Sequence, residues 1–197
     1  MSHQVSNAFH NIWAARFIDF GACRLYSENN MINHGGGNLT FSVLMVCTGN
    51  ICRSPMSEGL LMNRLPETLK PVVLVRSAGT HGLHGNRAEP FAVKAAAAHG
   101  ADIGDHRARI LDAGMIRSAD LVLAMEKYHI DKINDLLFFR CKYAMLLGTF
   151  AAKRENPEVE DPYGLPFGAY ETCASEIAAC LPGLIDHIRQ QVDRKAS

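Results

Sequence analysis

The chain reads as an α/β domain, doubly wound, with a mainly four-stranded parallel sheet and helices on both faces. Three observations predict it. Short apolar, β-branched runs alternate with helical patterns, as strands do with crossover helices. The runs are continuous rather than alternating, which suits strands buried on both faces. Cys47, Ser77 and the Met125–Glu126 turn fall at the carboxyl ends of such runs, where these sheets hold ligands.

Phe41-Ser42-Val43-Leu44-Met45-Val46 is the first strand. A helix opens near Ser54, with Pro55 and Glu58 in its first turn and Met56, Leu60, Leu61 and Leu65 at helical spacing. Val72-Val73-Leu74-Val75 is a buried strand between Pro71 and Ala78-Gly79. Pro90 to His99 is a helix, with proline at its start and Gly100 just past its end. Leu121 to Met125 is the third strand, Glu126 to Leu137 a helix, and Tyr143 to Leu147 the fourth strand. Tyr170, Cys173, Ile177, Cys180, Leu181, Leu184 and Ile188 form a helical apolar stripe of core packing, which Pro182-Gly183 should kink or split. The connection from Gly148 to Phe167 is long for this fold, and long loops are usually functional.

Length and composition set bounds. A chain of 197 residues, 48% hydrophobic and 20% charged, is one soluble domain with a good core. Its formal net charge of zero gives no footprint for nucleic acid or an anionic membrane, so positive potential must be local. Six cysteines in this length are not a secreted disulfide framework, and a cytoplasmic location is expected.

Residues 1–40 differ from the rest. The stretch Ile12 to Cys23 is interrupted by Arg16 and Asp19, which excludes a signal peptide or membrane span. Phe9, Trp13, Phe17 and Phe20 can line one face of a short amphipathic helix, and Gly35-Gly36-Gly37 breaks the chain before the first strand. The expected division is a poorly ordered extension over 1–40, either a start assigned too early with Met31 the better candidate or a docking arm, and one domain over 41–197.

The most informative string is Cys47-Thr48-Gly49-Asn50-Ile51-Cys52-Arg53, followed by Ser54-Pro55. A strand delivers a cysteine to its end, a short loop follows, and an arginine and a serine stand at the mouth of a helix. Five residues between sulfur and guanidinium suffice for the backbone N–H groups of Thr48 to Arg53 to curl into a cup for a tetrahedral oxyanion. At its base, the helix N-terminus and the cation both favour thiolate over thiol. The string therefore places a nucleophile, Cys47, under a phosphate.

In these residues the chain resembles the low-molecular-weight protein tyrosine phosphatases. Val43 to Glu58 is similar to that family's signature, and further matches follow in the family's order: Ser77-Ala78-Gly79-Thr80, His106-Arg107-Ala108-Arg109, Asp120 to Glu126, and Asp161-Pro162-Tyr163. The resemblance spans about residues 41 to 193 and looks closest to bacterial members that work opposite tyrosine kinases of polysaccharide export. It implies hydrolysis of phosphotyrosine in proteins through a cysteinyl phosphate, with an autophosphorylated kinase as the expected partner, no cofactor and a monomer.

The resemblance also implies roles. Cys47 is the nucleophile, Arg53 grips the phosphoryl oxygens, and Asp161 is the general acid and then the base. Pro162 agrees, because it biases Asp161 to an extended conformation on a loop. Glu158 and Glu160 are competitors, but neither precedes a proline. Thr48, Gly49, Asn50, Ile51, Cys52, Arg53 and Ser54 make up the phosphate-binding loop, with Ser54 donating to the sulfur. Asn50, Ser77 and His106 match the group that keeps the loop rigid, and Asn50 suits a left-handed backbone. Ile51 and Tyr163 match positions flanking the aryl ring, with Leu83 or His84 as a third wall. A deep slot of this kind suits phosphotyrosine better than shorter phosphoserine.

Rival readings are weaker. His81-x-x-His84 lacks a complementary pair, so no metal is expected. Cys52 shares a tight loop with Cys47, which suggests a reversible disulfide that protects the nucleophile. An arsenate reductase of the same fold needs two relay cysteines between the phosphate loop and the acid loop, where only Cys141 lies. Arginine phosphatases of the family carry threonine where this chain has Ile51. A phosphotyrosine-binding module without turnover should have lost Cys47, Arg53 or Asp161, and all three are present.

Overall fold

Alternation along the central strand organises the fold. In a computed structural model, which describes residues 40–152 and 155–196, β1 (Phe41–Cys47) sends Val43, Met45 and Cys47 into one apolar core and Leu44 and Val46 into another. β3 (Leu121–Ala124) divides in the same way, Leu121 and Leu123 against Val122 and Ala124. A period of two buried on both sides is why these runs read as continuously apolar. With β2 (Val73–Gly79) and β4 (Ala144–Leu146) they form a four-stranded parallel sheet of order β2-β1-β3-β4. The amphipathic helix expected over Phe9 to Phe20 lies outside the described residues.

Three helices cover the first face: α1 (Arg53–Arg64) through Met56, Leu60 and Leu61, α2 (Pro90–Ala98) through Ala92, Ala95 and Ala96, and the long α5 (Phe167–Ala196) through Cys173, Ile177, Leu181 and Leu184. The second face is closed by α3 (Ala113–Arg117) through Ile116 and α4 (Lys127–Leu137) through Ile133 and Leu137. β1 connects outward to β2, and the chain then returns to place β3 on the other side of β1. The switch point thus falls between β1 and β3, and a crevice opens beyond their carboxyl ends.

Several boundaries depart from the sequence expectation. α1 begins at Arg53, so Glu58 lies in its second turn rather than its first. Pro55 fits the first turn because an N–H there has no helical partner to lose. β2 runs on to Gly79, paired opposite Cys47, because Arg76 to Gly79 stay in register with β1. α3 was not legible: it has five residues, and Asp112 caps it by accepting from the Met115 N–H at 2.8 Å. β4 ends at Leu146 and passes into a 3-10 turn, Leu147–Phe150, which shortens the connection ahead of α5.

Pro182-Gly183 does not split the last helix, which runs unbroken from Phe167 to Ala196. Proline at 182 removes the N–H that would reach the Ala178 carbonyl four residues earlier. Arg64, at the end of α1, supplies the replacement, its Nη1 donating to Ala178 O at 3.3 Å. Gly183 has a packing reason: a Cβ there would stand 2.4 Å from the Phe150 carbonyl oxygen of the 3-10 turn.

Candidate active site

The loop between β1 and α1 is fixed from outside by its carbonyls. Thr80 N–H donates to Cys47 O, His81 N–H to Thr48 O, Leu83 N–H to Gly49 O, and Glu89 N–H to Ile51 O, all at 2.9–3.0 Å. His106 Nε2 donates to Asn50 O at 2.8 Å, and Met56 N–H to Cys52 O at 3.1 Å. In a planar trans peptide the next N–H points opposite to the carbonyl. Anchoring six successive carbonyls outward therefore turns the N–H groups of Thr48 to Arg53 inward, as a ring that can hold an oxyanion. Gly79 permits the close approach this needs, since a Cβ there would lie 2.4 Å from Thr48 O and 2.9 Å from Asn50 N.

Asn50 is the strained member, with φ at 56° in the left-handed region. Its side chain holds that conformation: Nδ2 donates to Ser54 Oγ at 2.8 Å and to Ser77 Oγ at 2.9 Å, and Oδ1 accepts from the Arg109 N–H at 2.7 Å. Ser77 in turn donates to Glu58 Oε2 at 2.5 Å. Burial lowers the pKa of His106, so its ring is neutral and the proton sits on Nε2, facing the Asn50 carbonyl. Because Ser54 Oγ already accepts from Asn50, its own proton is free for Cys47 Sγ, 2.9 Å away. The sulfur thereby gains a donor at the base of the ring.

Arg53 is buried, its side chain 2% exposed, yet it remains charged. Burial pulls its pKa down, but the hydrogen bond to Glu126 and the charges of Asp161 and Cys47 outweigh it, and the net shift is upward. Nη1 donates to Glu126 Oε2 at 2.6 Å and to Val159 O at 3.0 Å, while Nη2 meets Asp161 Oδ2 at 2.5 Å. The Asp161 loop is itself stitched to the residue that follows β3, with Val159 N–H donating to Met125 O at 2.8 Å. Tyr163 N–H closes a turn back onto Asp161 Oδ1 at 3.2 Å.

A cleft of about 290 Å³ opens here, lined by Cys47, Thr48, Gly49, Ile51, Cys52, Arg53, His81, Leu83, Asp161 and Tyr163. Of the two candidates for a third wall, Leu83 lines it, while His84 borders a separate depression with Glu58 and Arg109. His81, considered with His84 for zinc, lines the cleft and stacks on Tyr128 at 6.4 Å. Asn50 and Ser54, both expected in the phosphate-binding loop, are fully buried and are not among the residues lining the cleft. Glu158 accepts from the Lys127 N–H at 2.8 Å, at the start of α4 and apart from the ring. The Cys52 thiol is pushed up to about 12, chiefly by burial, so it stays protonated at neutral pH.

The sequence reading missed Glu126, Glu58 and His129. Glu126 stands two residues past β3, at the same carboxyl end of the sheet as Cys47, and a carboxylate in that position is the signal that could have found it. The other two are helix residues, and nothing local marks them.

Comparison with known proteins follows the same outline. The sequence profile of the family described as low molecular weight phosphotyrosine protein phosphatase matches residues 42–196. The low molecular weight protein-tyrosine-phosphatase Etp of Escherichia coli K12 is 43% identical over 130 residues, 66% of this chain and 82% of the relative. The solved tyrosine phosphatase Wzb from Escherichia coli K30, in complex with sulphate, superposes with a TM-score of 0.68 at 28% identity, covering 76% of this chain and 99% of that one. The YwlE arginine phosphatase from Geobacillus stearothermophilus superposes with a TM-score of 0.67 at 30% identity, covering 77% and 94%. The match runs from the first strand to the end of the last helix, and this chain belongs to the low molecular weight phosphotyrosine protein phosphatase family.

Proposed function

We propose that the protein hydrolyses phosphotyrosine in proteins through a phosphocysteine intermediate at Cys47. The observation that carries it is the placement of one sulfur, bonded to Ser54, at the base of a ring of inward N–H groups beside a buried guanidinium. The sulphate held by the related Wzb fits the same reading of the ring as an oxyanion cup.

The chemistry follows from the named atoms. The Cys47 thiolate attacks phosphorus, an S–P bond forms and the P–O bond to tyrosine breaks. Arg53 holds two equatorial oxygens with its planar fork, and the N–H groups of Thr48 to Arg53 hold the rest. Asp161 turns from Arg53 to the departing oxygen and gives it a proton. In the second step the Asp161 carboxylate takes a proton from water, the hydroxide oxygen bonds to phosphorus, and the S–P bond breaks. Thiolate and inorganic phosphate result.

Ile51 and Tyr163 flank the mouth and suit an aryl group. Ile51 is also the position that turns the reading away from phosphoarginine, despite the likeness to YwlE. Arsenate reduction is disfavoured because Cys141 packs into the core on the opposite face of the sheet from Cys47. The expected substrate is an autophosphorylated tyrosine kinase of polysaccharide export, in the cytoplasm. In keeping with this, no disulfide joins the cysteines of the described residues, and no helix among them is long and apolar enough to cross a membrane.

The test is a panel of phosphotyrosine peptide, phosphoserine peptide, phosphoarginine and arsenate, given to the pure protein and to Cys47→Ser and Arg53→Lys. Turnover of phosphotyrosine alone, lost in both variants while their circular dichroism is unchanged, is the expected result. Substantial activity in Cys47→Ser would overturn the intermediate.

A further inference from the structure

Thr48 follows the nucleophile and lines the cleft, and its hydroxyl is held from behind by His129 on α4. The direction of that hydrogen bond can be worked out. Nδ1 of His129 lies 3.0 Å from the backbone nitrogen of Glu126. An amide N–H only donates, so Nδ1 accepts and carries no proton. The single ring proton is therefore on Nε2, 3.0 Å from Thr48 Oγ1, and Nε2 donates to the hydroxyl oxygen. A second proton is opposed by complete burial and then by the charge of Arg53, which together push the ring down to about 4. Glu126 Oε2 stands 3.7 Å from Nε2, too far to compete for that proton. Arg53 Nη2 approaches the same hydroxyl at 3.5 Å, again as a donor. With donors on both sides, Thr48 has only its own proton left to offer.

We propose that His129 is a positioning residue that makes Thr48 an obligate hydrogen-bond donor into the cup, where its hydroxyl binds an equatorial phosphoryl oxygen beside Arg53. The inference rests on the phosphatase reading above and adds to it one residue, His129, and a role for the Thr48 side chain. Ser54 provides the parallel on the other side of the sulfur, since an amide donating to its oxygen frees its proton for Cys47. One oriented hydroxyl thus serves the nucleophile and the other serves the group it attacks. Negative charge on the phosphoryl oxygens shifts during transfer, so a preset donor acts on turnover more than on binding.

The test is steady-state kinetics with 4-nitrophenyl phosphate on parent, Thr48→Val, Thr48→Ser, His129→Leu, His129→Gln and the double variant Thr48→Val/His129→Leu. Thr48→Val should lower kcat about tenfold with KM changed less than about threefold, and Thr48→Ser should recover most of the loss. His129→Leu should lose a similar factor but cost less than about twofold more once Thr48 is already valine. His129→Gln should keep most activity, because its amide can accept from the Glu126 N–H and donate to Thr48. Parental kcat in Thr48→Val, or additive losses in the double variant, would overturn the proposal. If His129→Leu does not fold, the Thr48→Val and Thr48→Ser pair and His129→Gln still decide it. A parent inactive on every aryl phosphate would instead overturn the phosphatase reading beneath it.

Discussion

Glu126 and Arg53 meet at 2.6 Å although 73 residues separate them, and Glu126 meets the guanidinium through Nη1 while Asp161 takes Nη2. The two carboxylates therefore have different fates. In the proposed mechanism Asp161 leaves Arg53 to serve the departing oxygen, whereas Glu126 stays and holds the fork in its plane.

Glu126→Gln keeps an acceptor beside Arg53 and an oxygen to cap α4, but removes the charge. Its kcat/KM on nitrophenyl phosphate should fall by about tenfold, the scale of one charge-assisted hydrogen bond. The melting temperature should change little, since Glu126 is 35% exposed and loses little to burial. Unchanged kinetics would show that Val159 and the loop suffice to orient Arg53.

A general acid matters most when the leaving oxygen is basic. Asp161→Asn should slow a phosphotyrosine peptide by roughly 10²–10⁴-fold and nitrophenyl phosphate far less. Glu158→Gln should change neither rate much, because Glu158 is occupied at the start of α4. The leaving-group dependence appearing in Glu158→Gln instead would move the acid to that residue.

Acid should destabilise the fold through His129. Its folded pKa, held down to about 4 by burial, lies below the unfolded value of 6.5, so the unfolded chain takes up the proton first. Stability present above pH 6.5 is thus lost as the pH falls toward 4, by on the order of 3 kcal/mol. His106, also lowered by burial, adds in the same direction. Urea unfolding between pH 7 and 4 should give a shallower decline in His129→Gln than in the parent; an equal decline would assign the loss elsewhere.

Removing residues 1–30 should leave the melting temperature and turnover near those of the full chain. The first strand begins at Phe41 and the family match at Ser42, and every described strand and cleft-lining residue lies after residue 40. A drop of more than a few degrees would make Phe9, Trp13 and Phe17 part of the core.

What was legible in the sequence was what is local. Cys47, Arg53 and the loop between them lie within one short string, and the period-two burial of β1 and β3 wrote itself as apolar runs. Contacts made across the fold left little trace. Glu58 comes from α1, and Glu126 and His129 from the start of α4, and each alone reads as an ordinary residue of a helix start or face. The helix is not split at Pro182 for a similar reason, because the compensating donor comes from Arg64, 114 residues before the Ala178 carbonyl it serves. Propensity describes a helix in isolation, and here another helix supplies what the proline removes.

That exchange has a mechanical side. Where α5 lacks one rung of its own ladder, it is tied to the far end of α1, whose first residue is Arg53. The two helices should then open as one cooperative unit in native-state hydrogen exchange, with amides on both sides of Pro182 protected to the same depth as those of α1. Anything that pulls on the carboxyl-terminal turns, a fused tag or a bound partner, would be felt at the helix that carries the guanidinium.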